Sequence, residues 1–388
     1  MVCGSTAAPS HGFSCPQSLG VRLANPPRDR YPVEHMSQSW LEKQCPEPSA
    51  RHEAAARARQ EALTKPAGSL GVLETLAIKL AALQATDEPR AARAPIVLFA
   101  GDHGVTAQGI SAYPAAVTVE MLRNFASGGA AVSVLARQLD VPLTVVDVGT
   151  RATEPIAGVV VDKERLGTRD FTVEPAMSEA ELDAALVAGL RAVEAALPAD
   201  IFLFGEMGIG NTTAAAAVAA ALLAKAPAEI AGAGTGLDAE GIAHKVRIIE
   251  TGLARHGLAG ANAKTNARHV LATVGGFEIA ALSGAIVAAA QAGCPVLVDG
   301  FIVTVAALAA IRRNPSCEPW LIYAHRSAER GHAAVLDALG ARPLLGLDLR
   351  LGEGSGSAIA LSVLRLACAL HNRMATFEEA AVSGRSPS

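Results

Sequence analysis

The chain has 388 residues, 51% of them hydrophobic and 18% charged, which is enough to bury a large core and too apolar for a disordered polymer. Aromatics are only 4% and alanine supplies much of the apolar share, a balance that favours packed helices over an all-β sandwich. The formal net charge of -4 is spread without a basic stripe, so nucleic acid is not an expected partner. The longest apolar runs, Ala214–Ala224 and Ile279–Ala290, fall well short of the ~20 residues that span a bilayer, so no membrane association is expected either. Cys3, Cys15, Cys45, Cys294, Cys317 and Cys368 form no C-x-x-C pair. A disulfide framework or a zinc site is not expected, and a reducing cytoplasm fits best.

Residues 1–38 are rich in Pro, Ser and Gly and show no sustained periodicity. They read as a disordered extension, or as an upstream start with Met36 the initiator. Ser49–Leu63 reads as a polar helix, Thr64–Gly71 as its break, and a second helix runs to about Gln84. Strand-like apolar runs then follow at Ile96–Ala100, Leu143–Val148, Ile201–Gly205, Pro295–Val298 and Leu321–Ala324. Helical stretches alternate with them, among them Ala130–Leu139, Glu179–Leu197, Thr212–Lys225, Ile279–Gln291 and Ala328–Leu339. Short strands that are apolar on both faces are those of a parallel sheet covered by helices on both sides. The expected fold class is therefore α/β, a doubly wound, mostly parallel Rossmann-like sheet, with a smaller helical domain built from the chain ends. The expected divisions are 39–90 for the N-terminal helices, 91–358 for the large domain and 359–388 for the C-terminal helices and tail.

In such folds ligands bind at the carboxyl ends of the strands. Gly101-Asp102-His103-Gly104, Asp147-Val148-Gly149-Thr150, Gly205-Glu206, Asp299-Gly300 and His325-Arg326-Ser327 all fall at that edge. Gly205–Thr213 opens an Ala-rich helix whose free N–H groups suit phosphate or ribose, with Asn211, Thr212 or Thr213 as the cap. Gly208-x-Gly210 is not a full dinucleotide fingerprint. In Gly232–Gly236, Asp238 caps the next helix, and Lys245 reads from the residues alone as a surface lysine or as a counter-charge for an anion. Asp102 is expected to orient the loop through Ser111–Pro114, which could wall an aromatic ring. A single acid at Asp147 argues against a phosphoribosyl-diphosphate loop. Ser327 is a helix cap or a ligand, beside Arg326 and Arg330, which could meet an anion. Arg350–Ser357 sets Glu353 among glycines just before a long apolar helix. Flanking glycines deny that carboxylate side-chain cover, which suits a base beside a bound substrate better than an anion cradle.

These segments together resemble the nicotinate-nucleotide–dimethylbenzimidazole phosphoribosyltransferase family. The likeness rests on Leu63–Gly71, Asp102–Val105, Gly205–Thr213, Lys245-Val246, Val274–Phe277, Asp299–Phe301, Ser327–Glu329 and Arg350–Gly356, in family order from about Arg51 to Met374. It implies a homodimer that transfers the 5-phosphoribosyl group of nicotinate mononucleotide to a benzimidazole-type base, giving α-ribazole 5′-phosphate and nicotinate. It implies Glu353 as the catalytic base. Glu206, Gly208, Asn211, Thr212, Gly234, Lys245, Asp299, Ser327, Gly352 and Tyr113 would line the substrate sites, with the identity of the preferred base left open.

That chemistry accounts for a lone carboxylate. The glycosidic nitrogen of the donor is already cationic, so nicotinate leaves without a general acid. The attacking azole loses a proton from its other nitrogen, and one carboxylate suffices to take it. Attack from the far face inverts the anomeric centre, so no second nucleophile is required. No cofactor and no metal are expected, because the donor has no pyrophosphate to neutralise. Burial raises the pKa of Glu353 and a helix N-terminus lowers it, and the sequence leaves the balance open. The alternatives are an NAD-dependent dehydrogenase and a non-catalytic azole- or nucleotide-binding protein.

Overall fold

The computed structural model describes residues 39–260 and 266–383. The expectation for residues 1–38, and Cys3 and Cys15 with it, lies outside the described residues. Six strands form one all-parallel sheet: β1 Ile96–Gly101, β2 Leu143–Gly149, β3 Val159–Val161, β4 Phe202–Met207, β5 Val296–Val298 and β6 Leu321–Tyr323, in the order β3-β2-β1-β4-β5-β6. The direction of winding reverses between β1 and β4, the topological switch point where such sheets open a crevice.

Alternation along the strands feeds two helical layers. Val97 and Phe99 of β1, with Phe202 and Phe204 of β4, pack against helices Glu179–Ala196, Asn211–Leu223, Phe277–Gln291 and Phe301–Arg313. Ile96, Leu98, Ala100 and Leu203 point the other way, onto helices Val72–Gln84, Ala116–Ser127, Ala131–Leu139 and Ser355–Arg373. Both faces of the sheet are therefore buried, which is why its strands read as unbroken apolar runs.

Some elements differ from the sequence reading. β3 was not expected, because three half-buried valines at a sheet edge carry no periodicity. β4 runs on to Met207, so Glu206 is the penultimate residue of a strand rather than part of the turn after it. The last helix before the C-terminal run starts at Arg330, not Ala328, with Glu329 at its N-cap and Ser327 Oγ accepting from Glu329 N at 3.2 Å.

Residues 59–63 and 371–376 meet in the second layer. Arg59 Nε donates to His371 O at 2.6 Å, the Gln60 amide pairs with His371 Nδ1 at 2.9 Å, and Leu63 bridges Thr376. Helix Ser355–Arg373 is continuous through residues 358 and 359, with its first turn at the sheet edge and its last turn on the N-terminal helices. Among the described residues, no helix is long and apolar enough to cross a membrane.

Candidate active site

A cavity of about 440 Å³ opens at the carboxyl ends of β4, β5 and β6. Tyr113, Glu206, Gly208, Asn211, Thr212, Gly234, Asp299, Ser327, Gly352 and Glu353 all line it, as the sequence suggested. Lys245 does not. It is 1% exposed, and its ammonium donates to Thr212 Oγ1 at 3.1 Å and Gly232 O at 3.2 Å, beneath the cavity floor. The reading of Lys245 as a surface lysine is thus overturned. Burial pulls its pKa down to about 8, opposed by the nearby Glu329.

Glu353 occupies an unusual backbone. Its φ is +63°, between Gly352 and Gly354 that are both at +82°. A left-handed conformation costs a residue with a side chain ~1–2 kcal/mol, so its surroundings must impose it. Three features do so. Gly205 lacks a side chain where the Glu353 carbonyl leans on β4; a Cβ there would stand 2.6 Å from the Glu353 carbonyl carbon. Glu206 Oε1 accepts from Glu353 N at 3.4 Å, and Gly352 leaves that oxygen room. Asp299 Oδ1 accepts from Ser357 N at 2.7 Å, and the N–H groups of Gly300 and Gly354 favour its ionised form. Asp299 therefore caps helix Ser355–Arg373 from another strand. At the start of that helix, Ser355 N donates to Gly352 O and Ser357 N to Asp299, so these two N–H groups are taken up by protein.

The Glu353 side chain is 6% exposed, and its Oε2 has no hydrogen-bond partner. Burial raises its pKa, the Val132 N–H lowers it, and the charge of Asp299 raises it again, for a net rise. The helix terminus that opposes burial is that of Ala131–Leu139, not the helix that follows Glu353. Asp299 is likewise raised, first by burial, with His325 Nε2 3.7 Å from Oδ1 as a partial offset.

Glu206 is pushed up to about 8, first by burial, then by the negative fields of Asp299 and Glu278. Its other oxygen accepts a short hydrogen bond from the Asn211 amide. Asn211 therefore does not cap its helix; Gly210, at φ +98°, does so without a side chain. An exposed glutamate ionises near 4.5, while Glu206 holds its proton to about 8. Across that window only the unfolded chain loses this proton, so the contribution of Glu206 to stability falls as pH rises. We expect Glu206→Gln, which cannot ionise, to gain in unfolding midpoint relative to the parent between about pH 5 and about pH 8. An unchanged difference across that range would refute the raised pKa.

Several buried groups were not anticipated. His103 Nε2 and Glu278 Oε1 pair at 2.8 Å beneath Gly208, both nearly inaccessible. His332 Nδ1 accepts from Ser327 N at 2.9 Å, while Nε2 lies 3.0 Å from Thr304 Oγ1, whose hydroxyl donates to Gly300 O. Burial drives the His332 pKa down to about 3, consistent with a neutral ring spanning two strand-end loops. Asp147 is consumed locally by Gly149 N, Thr150 N, Thr150 Oγ1 and Lys163 Nζ, as expected of an acid that is not part of a sugar-diphosphate loop. Asp102 accepts from Arg151 N at 2.8 Å, and Ser111 Oγ lies 3.2 Å from Thr235 Oγ1. Arg326 and Arg330 are exposed and off the cavity.

A phosphoribosyltransferase family model matches residues 45–382. A protein of Bradyrhizobium sp. (strain ORS 278) named nicotinate-nucleotide–dimethylbenzimidazole phosphoribosyltransferase is 65% identical over 352 residues, covering 90% of this chain and 99% of its own. The chain belongs to the nicotinate-nucleotide–dimethylbenzimidazole phosphoribosyltransferase family. A relative of the same name from Pseudomonas putida is 55% identical over 353 residues, again covering 90% of this chain and 99% of its own. The crystal structure of the phosphoribosyltransferase of that name from Thermus thermophilus superposes with a TM-score of 0.81 at 42% identity, over 87% of this chain and 100% of that one.

On this phosphoribosyltransferase fold, His325, Glu329 and Arg350 also line the cavity. All three lie inside segments singled out by their pattern, but neither their spacing nor their type distinguishes them from neighbours that face solvent. Val117, Met121, Met207 and Ile209 form an apolar wall, with Tyr113 at its rim, 54% exposed.

Proposed function

We propose that the protein transfers the 5-phosphoribosyl group of nicotinate mononucleotide to a benzimidazole-type base, with inversion, and that Glu353 is the base. The observation that carries the assignment is a buried carboxylate oxygen without a partner, at a cavity wall, with its pKa raised. Such a group accepts a proton near neutral pH more readily than an exposed glutamate.

In this reading the azole ring lies against Val117, Met121, Met207 and Ile209, a wall that suits a flat apolar base. Its lone pair attacks C1′ from the face opposite nicotinate. The C1′–N bond breaks, and its electron pair neutralises the pyridinium nitrogen. The N–H of the azole becomes acidic as it attacks, and its proton passes to Glu353. Glu206, carrying a proton at neutral pH, is a hydrogen-bond donor toward the ribose. Asn211, Thr212, Gly208 and Gly234 serve the sugar phosphate. Lys245 serves it from beneath, by fixing the Thr212 hydroxyl and the Gly232 carbonyl.

We further propose a cytoplasmic homodimer, and a small helical domain made of residues 39–90 and the C-terminal helical segment from residue 359 on. No observation favours a dehydrogenase or a non-catalytic binding protein. Incubation with nicotinate mononucleotide and 5,6-dimethylbenzimidazole is expected to release nicotinate and α-ribazole 5′-phosphate in equal amounts, read by chromatography. No base-dependent release of nicotinate would overturn the proposal.

A further inference from the structure

Arg350 is the only arginine or lysine lining the cavity among the described residues. Four carboxyl groups share that lining: Glu206, Asp299, Glu329 and Glu353. A nucleotide donor brings a phosphate anion into this negative surround, so a cation that the substrate can reach is required. Lys245 does not reach it in this structure, being buried and already donating to Thr212 and Gly232.

Arg350 differs in each respect. Its guanidinium makes one long hydrogen bond, from Nη1 to Gly234 O at 3.4 Å, and its charge favours the ionised form of Glu329. A guanidinium carries five N–H donors, so one such bond leaves most of its capacity for an incoming oxyanion. The Gly234 loop lies between the two cations: a Cβ on Gly234 would stand 3.0 Å from Lys245 Nζ below, and Arg350 bonds its carbonyl. Thr212 adds a hydroxyl at the same end of the cavity. Asp299 and Glu353 lie around the Glu353 loop instead, away from Gly234 and Thr212.

We propose that Arg350 is a specificity-determining residue that reads the 5′-phosphate of the donor at the Gly234–Thr212 end of the cavity. This inference rests on the phosphoribosyl transfer proposed above. Arg350 discriminates donors by their phosphate and takes no part in the proton transfer at Glu353.

The test compares kcat/KM of the parent, Arg350→Ala and Arg350→Lys with three donors: nicotinate mononucleotide, nicotinate riboside and nicotinamide mononucleotide. In Arg350→Ala the preference for nucleotide over riboside is expected to fall ~10–100-fold, mainly through KM, the range for one charge-assisted contact. Arg350→Lys is expected to recover part of it, because a point charge replaces a fork. The preference between the nicotinate and nicotinamide nucleotides is expected to hold within about threefold. An unchanged nucleotide-to-riboside preference would overturn the inference. So would a loss confined to the nicotinate–nicotinamide comparison, which would place the guanidinium on the ring carboxylate. A parent enzyme inert toward all three donors would instead overturn the transfer reaction itself.

Discussion

Glu353→Gln is expected to lower kcat by about 10²–10⁴-fold while the dissociation constant of nicotinate mononucleotide changes by less than about threefold. The amide keeps the shape of the side chain and removes its ability to take a proton. Its backbone N–H to Glu206 and the Asp299 cap on the following helix do not depend on the side chain, so the loop should stay in place. The pH profile supplies a second readout. A base must be ionised to act, and the Glu353 pKa is raised. The rate in the parent enzyme should therefore fall on the acid side at a pH above the ordinary carboxylate range, and the residual rate of the variant should lack that limb. Steady-state kinetics with calorimetric titration of the nucleotide checks both. A variant with unchanged turnover would remove Glu353 from the chemistry.

Gly205→Ala is expected to cost about 10²-fold in kcat and ~1–3 kcal/mol in stability, although Gly205 itself touches no substrate. The new methyl group would stand 2.6 Å from the Glu353 carbonyl carbon and 2.9 Å from Gly354 N. Both are backbone atoms of a loop already held in left-handed geometry, so relief can come only by lifting that loop off β4. A displacement of about an ångström is enough to spoil proton transfer. Gly346→Ala is the matched control, since a Cβ there meets nothing within 4 Å, and it should shift stability by no more than ~0.5 kcal/mol. Turnover and thermal unfolding of the two variants decide the matter. Equal behaviour would show that the Glu353 loop tolerates movement without loss of turnover.

The sequence revealed this fold where physics makes patterns local. Five of the six strands are apolar runs closed by turn residues, because helices cover both faces of the sheet. β3 escapes such a reading because Val159–Val161 is too short and too exposed to carry a pattern. At the site, glycine made Glu353 conspicuous, since only glycine permits the close approach of backbone on either side. The burial of Lys245 could not be read in the same way. It sits on helix Ala239–Arg255, whose exposed face is full of charge, and only the distant Thr212 and Gly232 turn it inward. His103 and Glu278 pair across 175 residues, and Asp299 caps a helix 58 positions further along the chain. Such partnerships are consequences of sheet order, which no local pattern encodes.

Helix Ser355–Arg373 carries a consequence for how the protein comes into being. Its first turn steadies Glu353 through Asp299, and its last turn lies against residues near the start of the described chain. The Glu353 loop thus stays unassembled on the ribosome until this helix, whose Ser357 lies 58 positions beyond Asp299, has been made. Contacts of such long sequence separation form slowly. A nascent chain holding every residue of the sheet but lacking this helix would have a crevice with the Asp299 carboxyl missing its Ser357 partner.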